Sequence, residues 1–395
     1  MKHISPWKIL IYIYVFMLVF ALVFQSMPPV FGFIISSLGI SHAQAGALMS
    51  FFGLPGIFIS IPGGILADIY GSKKIGICAL IITLIGSLMV GLGNNFSLLV
   101  TGRVISGIGA LTIAIIAPQT LSQWFDKKDL GKAMGIINTA MPLGTIFTLN
   151  VFGALALAST WRVPILLTSI YCLLILFLFY FSYPDMPKGT GREGQKKLGF
   201  RESVHNIRKV GLSIWLIAAI WMMYNASAIS FLTFGTDYYI SVGYDASYAG
   251  FLTSLLMIGA LLLSTFVGFL TDKLGNEEYF IIGGSILLTL TLFLVPRTNI
   301  NPIILGVLIG IGAPFVPAPV FSLVPRFLPP ERLGLGYGIL STCLNFGVLV
   351  GPLLVGLSYD LTLNYYSGFN LMAILALSGG IFALILKSIT KENRC

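Results

Sequence analysis

The stretch Gly107-Ile108-Gly109-Ala110 returns as Gly310-Ile311-Gly312-Ala313, 203 positions further on in a chain of 395 residues. A glycine pair of this kind belongs to a dinucleotide-binding turn only between a strand and a helix, with a third glycine nearby. Its surroundings here are of another kind. Apolar residues make up 56% of the chain and charged residues 9%, with a mean hydropathy of +0.94. Soluble domains carry roughly 45–50% and 25%. The composition is that of a membrane chain.

Crossing about 30 Å of hydrocarbon as helix takes around 20 apolar residues. Stretches of that kind recur twelve times, near residues 8–30, 43–67, 75–93, 97–124, 132–158, 162–183, 213–239, 246–270, 279–296, 301–325, 333–359 and 366–387. Glycine and proline inside them do not mark ends, because spanning helices tolerate both. Between the sixth and seventh spans lies one long polar stretch, residues 184–209, rich in Pro, Gly and charge. It reads as a surface linker with a short interfacial helix at its end. The expected organisation is a six-helix bundle over residues 1–183, a cytoplasmic linker over 184–212 and a second six-helix bundle over 213–395.

Lys and Arg collect on the cytoplasmic side of short loops. With the N-terminus inside, twenty of the 23 basic residues fall on that side; Arg162 and Arg297 lie in outer loops and Arg103 lies within a span. Both termini are therefore expected in the cytoplasm, in a multi-pass protein of the cell membrane. The net charge of +9 follows from this orientation and gives no sign of a nucleic-acid partner. The first span lacks the short apolar core and small-residue site of a cleaved signal and is expected to be retained.

The repeat extends beyond four letters. Gly135-Ile136, Thr139 and Gly144 match Gly338-Ile339, Thr342 and Gly347 at the same offset, and Gly64, Asp68 and Gly71 match Gly268, Asp272 and Gly275 at an offset of 204. Two related six-helix halves are the layout of a transporter built from parallel repeats. With no strand context, the glycines read as helix-packing positions. Several recur at four-residue spacing, as in Gly131/Gly135, Gly306/Gly310, Gly334/Gly338 and Gly347/Gly351, which lets helices approach where lipid offers no hydrophobic drive.

Gly64-Ile-Leu-Ala-Asp68-Ile-Tyr-Gly71-Ser-Lys73-Lys74 resembles the signature loop between the second and third helices of the major facilitator superfamily. Arg103-Val-Ile-Ser-Gly107-Ile-Gly109 resembles that family's second motif, and Trp161-Arg162 at the start of the sixth span is another common feature. The resemblance covers about residues 8–388. It implies an all-α membrane fold of twelve helices in two pseudo-symmetric bundles, and a monomer that moves a small molecule by rocker-switch alternating access. It also implies a gating role for Gly64, Asp68, Gly71, Lys73, Lys74, Gly268 and Asp272, with Asp68 near the start of the eleventh helix at Gly334 as a latch. A solvated loop aspartate balancing Lys73 and Lys74 is the plainer reading. The chain departs from the family loop at Ile69, where an arginine is usual, and at Glu277 and Glu278 in the second copy.

Arg103 is a lone charge in hydrocarbon, which costs at least about 2.5 kcal/mol unless it finds partners. It is a candidate to hold a substrate anion, to influence proton transfer, or to tether helices through backbone carbonyls. Gln25, Gln119, Asn138, Asn150, Tyr224, Asn225 and Asn345 are the other polar residues placed to line a cavity, with Phe24 and Trp221 nearby. Each alone reads as glue between helices before it reads as a ligand contact, and Tyr224–Asn225 is the leading pair, because the resemblance implies that the seventh helix faces the cavity. Pro314, Pro317 and Pro319 interrupt the tenth span.

No Asp or Glu is expected at mid-membrane: Asp237 and Asp360 sit near outer helix ends, and His3, His42 and His205 fall outside the spans. An intramembrane enzyme would need an in-span His or paired carboxylates for metal or acid–base work, and the chain is not expected to be one. The four cysteines show no metal or redox spacing, and no cofactor is expected. The expected function is a secondary transporter of a small polar solute or organic anion; the alternative is a membrane sensor that binds solute without moving it.

Overall fold

Within hydrocarbon no water is available to backbone N–H and C=O groups, so a chain of this composition closes its hydrogen bonds within helices. The computed structural model describes residues 5–184, 210–329 and 332–392, and all regular structure in them is helical. The linker helix expected before residue 210, Cys395, and the side chains of Asp68 and Asp272 lie outside the described residues. Among the described residues, twelve segments are long and apolar enough to cross a membrane, matching the number of spans read from composition.

The helices are α1 (Pro6–Phe24), α2 (Phe31–Leu38), α3 (His42–Tyr70), α4 (Ser72–Leu92), α5 (Phe96–Trp124), α6 (Lys127–Asn138), α7 (Ala140–Ala158) and α8 (Arg162–Ser182). They continue with α9 (Leu212–Ser241), α10 (Ala246–Leu274), α11 (Glu277–Leu294), α12 (Pro302–Gly312), α13 (Pro317–Phe327), α14 (Leu333–Thr362) and α15 (Tyr365–Glu392). Three spans are broken. The first bends at Gln25 through a 3-10 turn at Pro28–Val30 and runs on to Leu38, beyond the expected edge near residue 30. The fifth is interrupted at Thr139, between α6 and α7. The tenth breaks at a 3-10 turn over Ala313–Phe315, where the prolines remove backbone donors.

Two units result: Met1–Ile40 with Phe51–Gln195, and Ser41–Ser50 with Lys196–Cys395. In the first unit α4 and α5 lie backbone to backbone. A Cβ at Gly102 would stand 2.8 Å from the Gly86 carbonyl oxygen, and one at Gly107 would fall on the carbonyl of Phe52. Ser87 and Ser169 join α4 to α8 through their hydroxyls at 2.8 Å. In the second unit a Cβ at Gly310 would stand 2.5 Å from the Leu255 carbonyl oxygen and one at Gly351 2.5 Å from that of Ala226.

GIGA is thus a close-packing element in both units, as the absence of a strand context implied. The expectation fails for Gly131 and Gly135, and for Gly338: among the described residues a Cβ at any of these meets nothing within 4 Å. Four-residue spacing alone does not identify which glycines face a neighbouring helix.

The repeated Asp–x–x–Gly has a backbone cause at its last position. Gly71 has φ of 87° and Gly275 φ of 63°, a region that costs a residue with a Cβ. Each glycine sits in a tight turn between two spans, α3 to α4 and α10 to α11.

Candidate functional site

Each unit holds polar groups within its spans, and the geometry separates those that tie helices together from those left without partners. Arg103 lies two turns inside α5 and is only 1% exposed. Its guanidinium turns to the end of α1, where Nη1 donates to the Val23 carbonyl at 2.8 Å and Nη2 to that of Phe24 at 3.1 Å. The last carbonyls of a helix lack intrahelical donors, so a planar fork of N–H groups satisfies two of them while gaining the partners its own burial demands. The Phe52 ring covers the cation at 4.3 Å. Of the three roles open to Arg103, the tether is the one this arrangement performs.

The residue after Phe24, Gln25, is fully buried, and neither its Oε1 nor its Nε2 has a hydrogen-bond partner among the described residues. An unpaired buried amide costs about 1–3 kcal/mol. A bound polar group would remove that cost. Gln25 caps the interrupted α1, one residue beyond the carbonyls that Arg103 holds.

The other amides behave differently. Asn150 donates to Ile146 O at 2.7 Å, Asn225 to Trp221 O at 2.7 Å and Asn345 to Ser341 O at 2.9 Å. Each bond returns to the preceding turn of its own helix, a local alternative available to short polar side chains. Asn138 is exposed at the end of α6, and Gln119 is half-buried in α5. Tyr224 and Trp221 stack at 5.5 Å on α9, beside Asn225 and against Phe321. The Tyr224–Asn225 pair is therefore an aromatic surface with one amide, inside the second unit.

Arg162 holds the turn between α4 and α5, donating to Gly93 O at 3.0 Å and Asn94 Oδ1 at 2.7 Å. Arg297 donates to Phe293 O and Asn370 Oδ1 at 2.7 and 2.6 Å. It lines a cavity of about 420 Å³ with Tyr238, Tyr239, Tyr244 and Tyr366. None of the candidates read from the sequence lines that cavity.

Two charged arrangements escaped the sequence reading. Glu277, buried at the start of α11, pairs with Arg326 near the end of α13; the second copy of the signature loop thus places an acid–base pair within its own unit. The larger correction concerns His42, expected outside the spans. It is the first residue of α3 and stands 3.3 Å from Asp237 Oδ2 and 3.7 Å from Asp360 Oδ1. The signal lay in Ser41 and Gln44, which form a reciprocal capping box: Gln44 N donates to Ser41 Oγ at 3.2 Å and Ser41 N to Gln44 Oε1 at 2.9 Å. That pattern fixes the helix start at position 42.

Comparison with known proteins bears on the family and the fold. The model of the Major Facilitator Superfamily matches residues 13–244 and 216–394. The lysosomal dipeptide transporter MFSD1 of Danio rerio is 23% identical over 344 residues, covering 83% of this chain and 75% of the relative. A probable sulfoacetate transporter of Cupriavidus necator is 23% identical over 373 residues, covering 88% and 86%. Among solved structures, a bacterial homologue of the human lysosomal transporter Spinster superposes with a TM-score of 0.78 at 17% identity, covering 98% of this chain and 96% of that one. By a family match along nearly its whole length, with twelve spans and the repeated signature loop on its own sequence, the chain belongs to the Major Facilitator Superfamily of membrane transporters.

Proposed function

We propose that this transporter moves a small polar solute or organic anion across the cell membrane by alternating access, as a monomer with both termini in the cytoplasm. The observation that carries the reading is Gln25, whose amide is buried without a partner at the break of α1. A polar solute that hydrogen-bonds this amide removes a standing cost, which is how a buried polar group becomes selective. Arg103 contributes by holding the chain at that break in place. Tyr224, Asn225 and Asn345 supply an aromatic face and amides in the second unit, and Gln119, Asn138 and Asn150 complete the candidate set.

The relatives support the solute class in general terms. A dipeptide and sulfoacetate are both small and charged, and the names of two relatives assign them as cargo. Gating is assigned to the loop of Gly64, Asp68, Gly71, Lys73 and Lys74 and to its second copy at Gly268 and Asp272.

A ligand that binds the folded protein raises its apparent stability by mass action. A thermal-shift screen of sugars, organic acids, sulfonates, amino acids and dipeptides is expected to yield one class that raises the melting midpoint, with the rise reduced in Gln25→Ala. A rise that is unchanged in Gln25→Ala would remove Gln25 from the site.

A further inference from the structure

The end of α9 and the residues after it read Tyr238-Tyr239-Ile-Ser-Val-Gly243-Tyr244. Gly243 takes φ of 99°, a region that a residue without a Cβ enters freely. The chain turns back there, so that the Tyr244 N–H donates to the Tyr239 carbonyl at 3.1 Å and the two rings meet at 6.1 Å. Tyr238 ties this corner to the end of α11, donating to Val295 O at 3.2 Å. The loop that follows, Pro296-Arg-Thr-Asn-Ile-Asn-Pro302, is fixed at its far end by Asn301, whose side chain accepts the Ile303 N–H at 2.9 Å. With Tyr366 of α15 these pieces enclose the cavity of about 420 Å³, and all of them belong to the second unit. Cavities of about 300–1,000 Å³ are the size in which small molecules bury themselves.

Arg297 is the one charged side chain on the described lining. The rings of Phe293 and Tyr366 stand over its guanidinium at 3.8 and 5.3 Å, which leaves further polar contacts to its edges. A guanidinium has five N–H donors, and the bonds to Phe293 O and Asn370 Oδ1 use two. Among the described residues Arg297 forms no ion pair. Asp237 accepts the Tyr365 hydroxyl and Asp245 accepts the Ser247 N–H, and neither carboxylate lines the cavity. In the same wall the Tyr239 hydroxyl is buried and has no hydrogen-bond partner among the described residues.

A fixed cation without a counter-charge selects for an anion, and a planar carboxylate matches two N–H groups on one edge of a guanidinium. The rings of Tyr238, Tyr239, Tyr244 and Tyr366 offer the rest of such a molecule an aromatic surface. We propose that this cavity is a binding site for a small soluble organic acid, its carboxylate on the open edge of Arg297 and its apolar body against the tyrosine rings. The site is additional to the candidate solute residues, none of which lines it. It lies where α15 begins, at the end of that helix away from the C-terminus. With the C-terminus in the cytoplasm, as proposed above, this is the outer end of the second unit. Only that placement rests on the transport reading, because binding is measured without flux.

The test is ligand-observed fluorine NMR with fluorobenzoate as the probe and the full-length protein in phosphatidylcholine nanodiscs, with protein-free nanodiscs as the blank. The wild type is expected to bind the probe, and Arg297→Gln to bind it about tenfold more weakly or worse, as a charge-assisted pair is lost. Fluorobenzyl alcohol, which keeps the ring and lacks the charge, should be about tenfold weaker than fluorobenzoate on the wild type. Ile300→Trp fills the cavity from an exposed loop position, leaves Arg297 in place and should abolish binding with the melting midpoint retained. If Arg297→Gln fails to fold, Ile300→Trp and the alcohol decide the matter. Gln25→Ala should bind the probe as the wild type does, whatever its effect on transport. Absence of wild-type binding, equal affinity for acid and alcohol, undiminished binding in Ile300→Trp or in folded Arg297→Gln, or loss of binding in Gln25→Ala would each overturn the proposal.

Discussion

Arg103 and Val23 are joined across the first unit by a hydrogen bond of 2.8 Å from Nη1 to the backbone carbonyl. The bond places a fixed positive charge where α1 ends and where the unpaired Gln25 amide begins. A hydrogen bond to a charged group contributes about 1.5–3 kcal/mol, and Arg103 makes two such bonds, to Val23 and Phe24. Arg103→Ala is therefore expected to destabilise the purified protein by about 3 kcal/mol or more and to abolish flux. Arg103→Lys should recover only part of both, because an ammonium cannot reach two carbonyls as a planar fork does. Differential scanning fluorimetry and solute uptake measure the two effects. A wild-type melting midpoint in Arg103→Ala would mean the side chain reaches water instead.

The glycines give a paired prediction. A Cβ at Gly107 falls on the Phe52 carbonyl, and backbone cannot step aside, whereas a Cβ at Gly131 meets nothing. Gly107→Ala should cost about 1–3 kcal/mol through overpacking, and Gly131→Ala should be neutral or stabilise by up to about 1 kcal/mol through helix propensity. Equal melting midpoints for the two variants would contradict the packing assignment.

Length and apolarity define a span without any knowledge of its neighbours, so twelve spans and the matching glycine repeats follow directly from the chain. Which side of a helix faces another depends on rotation, and Gly131 shares the spacing of Gly306 and Gly310 without their neighbours. The polar residues divide in the same way. Asn150, Asn225 and Asn345 were visible as amides in hydrocarbon, yet each bonds its own preceding turn. His42 was obscured for the opposite reason: Asp360, which caps its helix, lies 318 positions away. No local pattern carries that pairing, although the capping box at Ser41 and Gln44 marks the helix start beside it.

Asp360 acts as a cap supplied from a distant helix. Replacing an N-cap acceptor by alanine costs about 0.5–2 kcal/mol. Asp360→Ala should lower stability by that amount and raise exchange at the amides of His42 and Ala43, while Asp360→Asn, which keeps one carbonyl acceptor, should lose less. Amide exchange at those two positions is the deciding readout, and unchanged rates in Asp360→Ala would contradict the capping role.

Asp68 closes the second span beside the turn at Gly71. If it latches the cytoplasmic side, a charge at a helix end is worth about 0.3–1 kcal/mol when exposed and up to about 2 when partly buried, which changes a balanced population by up to about thirtyfold. Asp68→Asn is expected to lower transport and to raise labelling, from the cytoplasmic side, of a cysteine introduced at Asn138. Asp272→Asn should do less, because Glu277 and Glu278 stand in its loop where the first copy carries Lys73 and Lys74. Unchanged labelling with unchanged flux would leave Asp68 an ordinary loop charge.

Whether this chain moves a solute is decided by counterflow in proteoliposomes. Vesicles containing the purified protein would be loaded with the compound that raises the melting midpoint most, then diluted into a trace of the same compound carrying a radiolabel. Label is expected to accumulate transiently in wild-type vesicles, little in Gln25→Ala and not at all in Arg103→Ala or in protein-free vesicles. Saturable binding to the wild-type protein with no accumulation above the protein-free level would contradict transport and leave a membrane sensor in its place.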